Sequence, residues 1–232
     1  EQSEIHQALI ESVGSNITLK YPKNGEYRSA YVIANIDDEP TDEAMVFYEY
    51  TSNGSEEDGL RVNILDKDED GKWYSVKELA GAGTDIDQVI ISPMGSNNQT
   101  DVFVGYQNLT NDEKTMEIYS YTDGDFKRVA LDTYSVLEPL DINNDGYIEL
   151  ITIQRSTNND TGVVTAKASM LNMKNNEITR GENVDMCDNV TSYVSSKTGM
   201  LDSGRRAIFI DGLTADGKLQ TEIIYYLSLI HI

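Results

Sequence analysis

Asp141-Ile142-Asn143-Asn144-Asp145-Gly146-Tyr147-Ile148-Glu149 lies between two short runs of strand-forming residues, 134–140 and 150–153. Oxygen-bearing side chains stand at loop positions one, three, five and nine, and Gly146 stands at position six, where a sharp turn is needed. That spacing wraps a chain around a hard cation such as Ca²⁺, with the Tyr147 carbonyl as a further ligand. An EF-hand would place helices on both sides and a bidentate Glu at position twelve. Position twelve is Thr152, and the flanks are β-branched and aromatic rather than helical. The unit reads as strand, cation loop, strand, and the same position-twelve argument counts against a dockerin-type loop.

Working outward, the pattern recurs. With Glu43 set on Glu149, a spacing of 106 residues, Asn35, Asp37 and Glu39 fall on Asp141, Asn143 and Asp145. A second signal has half that period. Asp70-Gly71-Lys72-Trp73 and Asp123-Gly124-Asp125-Phe126 are 53 residues apart, and Asn175-Asn176-Glu177-Ile178 follows after 52 more. Asp-Gly and Asn-Asn pairs suit hairpin turns, whose central residues adopt positive φ. Each period of about 53 residues holds about four short runs of β-branched and aromatic residues. Only the start, near residues 5–14, has helical spacing of apolar side chains.

Four strands per repeat predict an all-β fold. The expected architecture is a β-propeller of about three and a half four-stranded blades, incomplete or C-shaped. The alternative is a β-sandwich, which also uses meanders of short strands. The expected blades span residues 28–80, 85–131, 134–182 and 189–226. Residues 1–27 are expected to belong to a preceding blade or a linker. The tail, residues 227–232, resembles translated sequencing-adapter sequence, and it is read as non-native together with His231.

Composition narrows the function. The chain has 232 residues, 39% of them hydrophobic and 25% charged, enough for a buried core in one or two domains. Its net charge of −22 disfavours nucleic acid and anionic membranes as partners. No apolar run approaches the ~20 residues of a membrane span. Two histidines near the ends, His6 and His231, leave no histidine-based dyad or zinc site in the body of the fold. Cys187 stands alone between Asp185 and Asp188, so it reads as a buried, unreactive thiol. No motif selects a pair of glycosidase carboxylates from 40 acidic residues. The 66–71 acidic run reads as a solvated turn, and Trp73, Tyr74, Tyr119 and Tyr121 as packing aromatics rather than a sugar platform. Asn16, Asn53, Asn98, Asn108, Asn159 and Asn189 head N-x-Ser/Thr sequons and mark surface loops.

The loop Asp141-x-Asn143-x-Asp145-Gly146-x-x-Glu149, repeated at blade spacing, resembles the FG-GAP/VCBS repeats of integrin-like propellers and bacterial secreted or surface lipoproteins. The resemblance covers residues 28–226. It implies Ca²⁺ held by Asp141, Asn143, Asp145, Tyr147 and Glu149. It also implies a degenerate second site at Asn35, Asp37, Glu39 and Glu43, where Pro40 replaces the glycine. The implied function is a non-enzymatic module at a bacterial surface or outside the cell, with a possible lipid anchor upstream. It would bind a protein or glycan ligand at a propeller face. The alternative is a propeller-fold enzyme acting on polysaccharide with carboxylate catalysts.

Without a cation, each close pair among Asp141, Asp145 and Glu149 would cost about 1 kcal/mol in bulk water and about 4 kcal/mol at a surface dielectric of about 20.

Overall fold

The computed structural model describes residues 1–51, 59–94, 100–109, 113–174 and 177–226. Among the described residues the fold is all-β apart from one short helix, and the strands form four antiparallel sheets, none closed on itself. It divides into two compact units, residues 1–92 with 99–132, and residues 93–98 with 133–232. Among the described residues, no helix is long and apolar enough to cross a membrane.

The first unit opens with α1 (Gln2–Val13), where Ile5, Ala8 and Leu9 recur at helical spacing and are buried. Gly14 ends the helix at φ 83°, donating its N–H to Ile10 O at 2.9 Å. The first sheet follows: β1 (Ile17–Leu19), β2 (Tyr31–Ala34), β3 (Glu43–Tyr50), β4 (Leu60–Lys67) and β5 (Trp73–Ala80). β1 and β2 pair with successive halves of β3, which then leads through β4 to β5. Residues 1–27 therefore contribute the helix and one strand that rest on this first sheet.

β3 explains why its sequence is an unbroken apolar run. Ala44, Val46 and Tyr48 join Ile5, Leu9 and Trp73 on the helix side. Met45 and Phe47 point the other way, into a core shared with the second sheet. A strand covered on both faces loses the apolar–polar alternation of a half-buried one.

The second sheet contains β6 (Asp85–Ser92), β7 (Asp101–Gln107), β8 (Lys114–Thr122) and β9 (Asp125–Tyr134) in sequence order. A register shift between Ile86 and Gln88 rephases β6, so that Ile86 and Val89, of opposite parity, enter the same core. Val102, Val104, Tyr106, Tyr119 and Phe126 complete that core against Val62 and Ile64 of the first sheet.

The second unit holds the other two sheets. One has β10 (Val136–Leu140), β11 (Glu149–Thr157), β12 (Val164–Lys174) and β13 (Glu177–Arg180), with β14 (Val184–Asp185) also on β12. The last has β15 (Val190–Met200), β16 (Arg206–Thr214) and β17 (Leu219–Tyr225). Ile151, Ile153, Ala166 and Ala168 of the former pack with Ile208 and Ile210 of the latter.

The turn chemistry follows the residues. Asp123 and Gly124 have φ 55° and 76°, the two positive values of a type I′ hairpin. At the acidic run, Asp68 Oδ1 accepts from the N–H groups of Asp70 (3.0 Å) and Lys72 (2.8 Å), and Gly71 turns at φ 77°. The Asn175-Asn176 turn, Asn53, Asn98 and residues 227–232 lie outside the described residues. Of the other sequons, Asn16, Asn159 and Asn189 are exposed and Asn108 is half-buried.

Two expectations are overturned or divided. Cys187 is exposed, not buried, because it sits in an irregular segment after β14 rather than on a core-facing strand. Trp73 and Tyr119 are buried as packing aromatics, whereas Tyr74 is 45% exposed.

Candidate metal centre

The 141–149 loop joins β10 to β11. Ile142 is buried in the core of the second unit, which pins the start of the loop. Asn144 at φ 64° and Gly146 at φ 95° then reverse the chain. Asn tolerates the left-handed region, and glycine alone suits the more extreme value without strain.

These turns bring the four side-chain candidates together. Asp145 donates its N–H to Asp141 Oδ1 at 3.0 Å and to Asn143 Oδ1 at 2.9 Å. Gly146 N–H reaches Asp141 Oδ2 at 3.2 Å. Asn143 Nδ2 donates to Asp145 Oδ2 (3.0 Å) and to Glu149 Oε1 (2.9 Å). Glu149 Oε2 accepts from the Ile142 N–H at 3.0 Å. Tyr147 is held at the rim by its N–H to Asp145 Oδ1, 2.9 Å. Glu149 is buried, and desolvation, helped by Asp145 and Asp141, raises its pKa above the ordinary carboxylate value.

The donor set is hard oxygen throughout, which fits Ca²⁺ rather than a softer metal. Backbone N–H groups hold the carboxylates at the orientation seen here. Among the described residues, no group of three or more His, Cys, Asp or Glu side chains forms a ready-made metal cage. The loop's three acids, Asp141, Asp145 and Glu149, do not form such a group as they stand, and its remaining ligands would be the Asn143 amide and the Tyr147 carbonyl. The amide now presents its NH₂ to Asp145 and Glu149, so accepting an ion requires that it turn its oxygen inward.

One participant was invisible in the sequence. Arg206, the first residue of β16, places Nη1 2.9 Å from Asp141 Oδ2 and donates to the Asp141 carbonyl at 2.8 Å. It lies 65 residues downstream of Asp141. Nothing local marks it, because the pairing depends on how two sheets of one unit pack.

The 35–43 loop repeats the frame but not the closure. Ile36 is buried like Ile142, and its N–H binds Glu43 Oε2 at 2.8 Å, as Ile142 binds Glu149. Glu39 N–H binds Asp37 Oδ1 at 2.8 Å, as Asp145 binds Asn143. Asn35, however, spends its Nδ2 on the Glu39 carbonyl at 2.6 Å, and the Glu39 side chain is exposed. Glu43 is 1% exposed, and its Oε1 is buried with no hydrogen-bond partner. Desolvation, with Asp37 and Asp66 adding like charge, pushes its pKa up to about 7, against the pull of the Ile36 and Asp37 N–H groups.

No protein-family model matches this chain, and no curated protein matches it.

Proposed function

We propose that the chain is a non-enzymatic, Ca²⁺-stabilised module of the FG-GAP/VCBS kind, a β-propeller whose sheets are successive blades and whose role is to bind a protein or glycan outside a bacterial cell. The observation that carries the reading is the convergence of Asp141, Asn143, Asp145 and Glu149 in one turn, with the same frame repeated from Ile36 to Glu43. Blade character is supported by the order of strands. Each sheet is built from strands consecutive in the chain, two of them plain meanders and two carrying a short extra strand on β3 or β12, whereas a Greek-key sandwich interleaves distant strands between two sheets. Face-to-face packing of neighbouring sheets inside each unit is common to stacked blades and to a β-sandwich.

In this reading Asp141, Asn143, Asp145, Glu149 and the Tyr147 carbonyl hold the ion. When bound, the ion supplies charge compensation that ties β10 to β11. The role of the site is therefore structural, and ligand recognition belongs to other surfaces. That last step is argued from fold class.

A screen of the purified chain against glycans and bacterial-surface proteins, with polysaccharide turnover measured in parallel, tests the functional reading. Saturable binding without turnover is the expected result. Turnover would overturn the non-enzymatic assignment, and the absence of both would overturn the binding role.

A further inference from the structure

The cation loop already contains a positive charge. Arg206 Nη1 contacts Asp141 twice, at the carboxylate Oδ2 (2.9 Å) and at the main-chain carbonyl (2.8 Å). The Asp141 side chain is only 10% exposed, so this is a largely desolvated carboxylate with a charged partner. Asp141 is also position one of the loop, the residue whose two oxygens orient the N–H groups of Asp145 and Gly146. An arginine stays protonated at any accessible pH, so its charge cannot be titrated away to make room for an ion. The 35–43 loop offers a contrast: no basic side chain forms an ion pair with Asp37, Glu39 or Glu43 among the described residues, and there a buried carboxylate oxygen is left without a partner.

We propose that Arg206 neutralises Asp141 when the 141–149 loop holds no metal and weakens metal binding there, so that the two cations are alternatives for one carboxylate. The proposal builds on the metal reading of the loop but makes a separate demand on it. Two cations drawn to one carboxylate repel each other, and each lowers the other's affinity by the same factor. Arg206 opens β16, directly opposite Met200 of β15. Loading the loop with metal would thus loosen the tie that holds this end of the β15–β16 hairpin to it.

The test is a Ca²⁺ titration of the whole chain, followed at the Gly146 amide resonance by ¹⁵N NMR, which reports this loop alone. Wild type is compared with Arg206→Gln, and with Arg206→Met, which keeps the aliphatic stem, should Arg206→Gln fail to fold. Melting in chelator is recorded alongside. The variant is expected to melt lower in chelator yet bind Ca²⁺ about threefold to tenfold more tightly, two effects of opposite sign. An arginine that only braced the fold would weaken both. Tighter binding by the variant supports the proposal, including the case in which wild type binds nothing and the variant binds. In that case the native loop is not a Ca²⁺ site, but the competition stands. Equal or weaker binding by the variant, with wild type binding, overturns the proposal and leaves the metal reading intact. Binding by neither chain overturns both.

Discussion

Glu43 and Glu149 hold the same place in two copies of one loop, and among the differences between the copies the third loop position bears directly on these two carboxylates. Asn143 gives Glu149 a side-chain amide N–H at 2.9 Å, whereas the side chain of its counterpart Asp37 has no hydrogen to give and adds negative charge. One oxygen of Glu43 is therefore buried without a partner. The linkage has a definite sign. A carboxyl raised from 4.5 to about 7 in the fold prefers its protonated form there. Its contribution is fully present below pH 4.5 and is lost as pH rises through about 7. In chelator, Glu43→Gln is expected to remove this fall and to stabilise the chain at pH 8 by about 3 kcal/mol relative to wild type. Denaturant melts at pH 5 and pH 8 measure it, and equal slopes for both proteins would refute it. Asp37→Asn supplies the missing donor and should recover about 1–3 kcal/mol at pH 8, read by the same melts.

At the scale of elements, strands and hairpins were largely legible because their signals are local. Asp123-Gly124 announced a turn with two positive φ values, and the chain adopts φ 55° and 76° there. Asp123→Ala places an ordinary side chain in the left-handed region and should cost about 1–2 kcal/mol in a chemical melt, while Asp123→Gly should cost less. Other features depend on neighbours and left no local trace. β1 has three residues and β14 two, too short for periodicity, and each exists because a long strand offers it a free edge. β9 continues to Tyr134, past the expected end of the second blade at residue 131. The helix was legible from Ile5, Ala8 and Leu9, but not that it covers Val46 and Tyr48.

For the molecule as a whole, a repeat of about 53 residues and four sheets of consecutive strands describe the same chain at two levels. Of the candidate site, the convergence of Asp141, Asn143, Asp145 and Glu149 followed from spacing within nine residues. Arg206 did not, since a partner 65 residues away is set by sheet packing. Neither did the orphaned oxygen of Glu43, which follows from burial rather than order. The central claim is that a divalent cation closes the 141–149 loop and thereby stabilises the fold. Calorimetric melting of the whole chain in millimolar Ca²⁺ and in chelator, for wild type and Asp145→Ala, tests it most directly. A site of about 10⁻⁴–10⁻³ M affinity contributes roughly 1 kcal/mol at millimolar ion. The wild-type midpoint should then rise by about 2–4 °C with Ca²⁺, and Asp145→Ala should lose the part of that rise due to this loop. Superimposable wild-type curves, or a rise fully retained by Asp145→Ala, would contradict it.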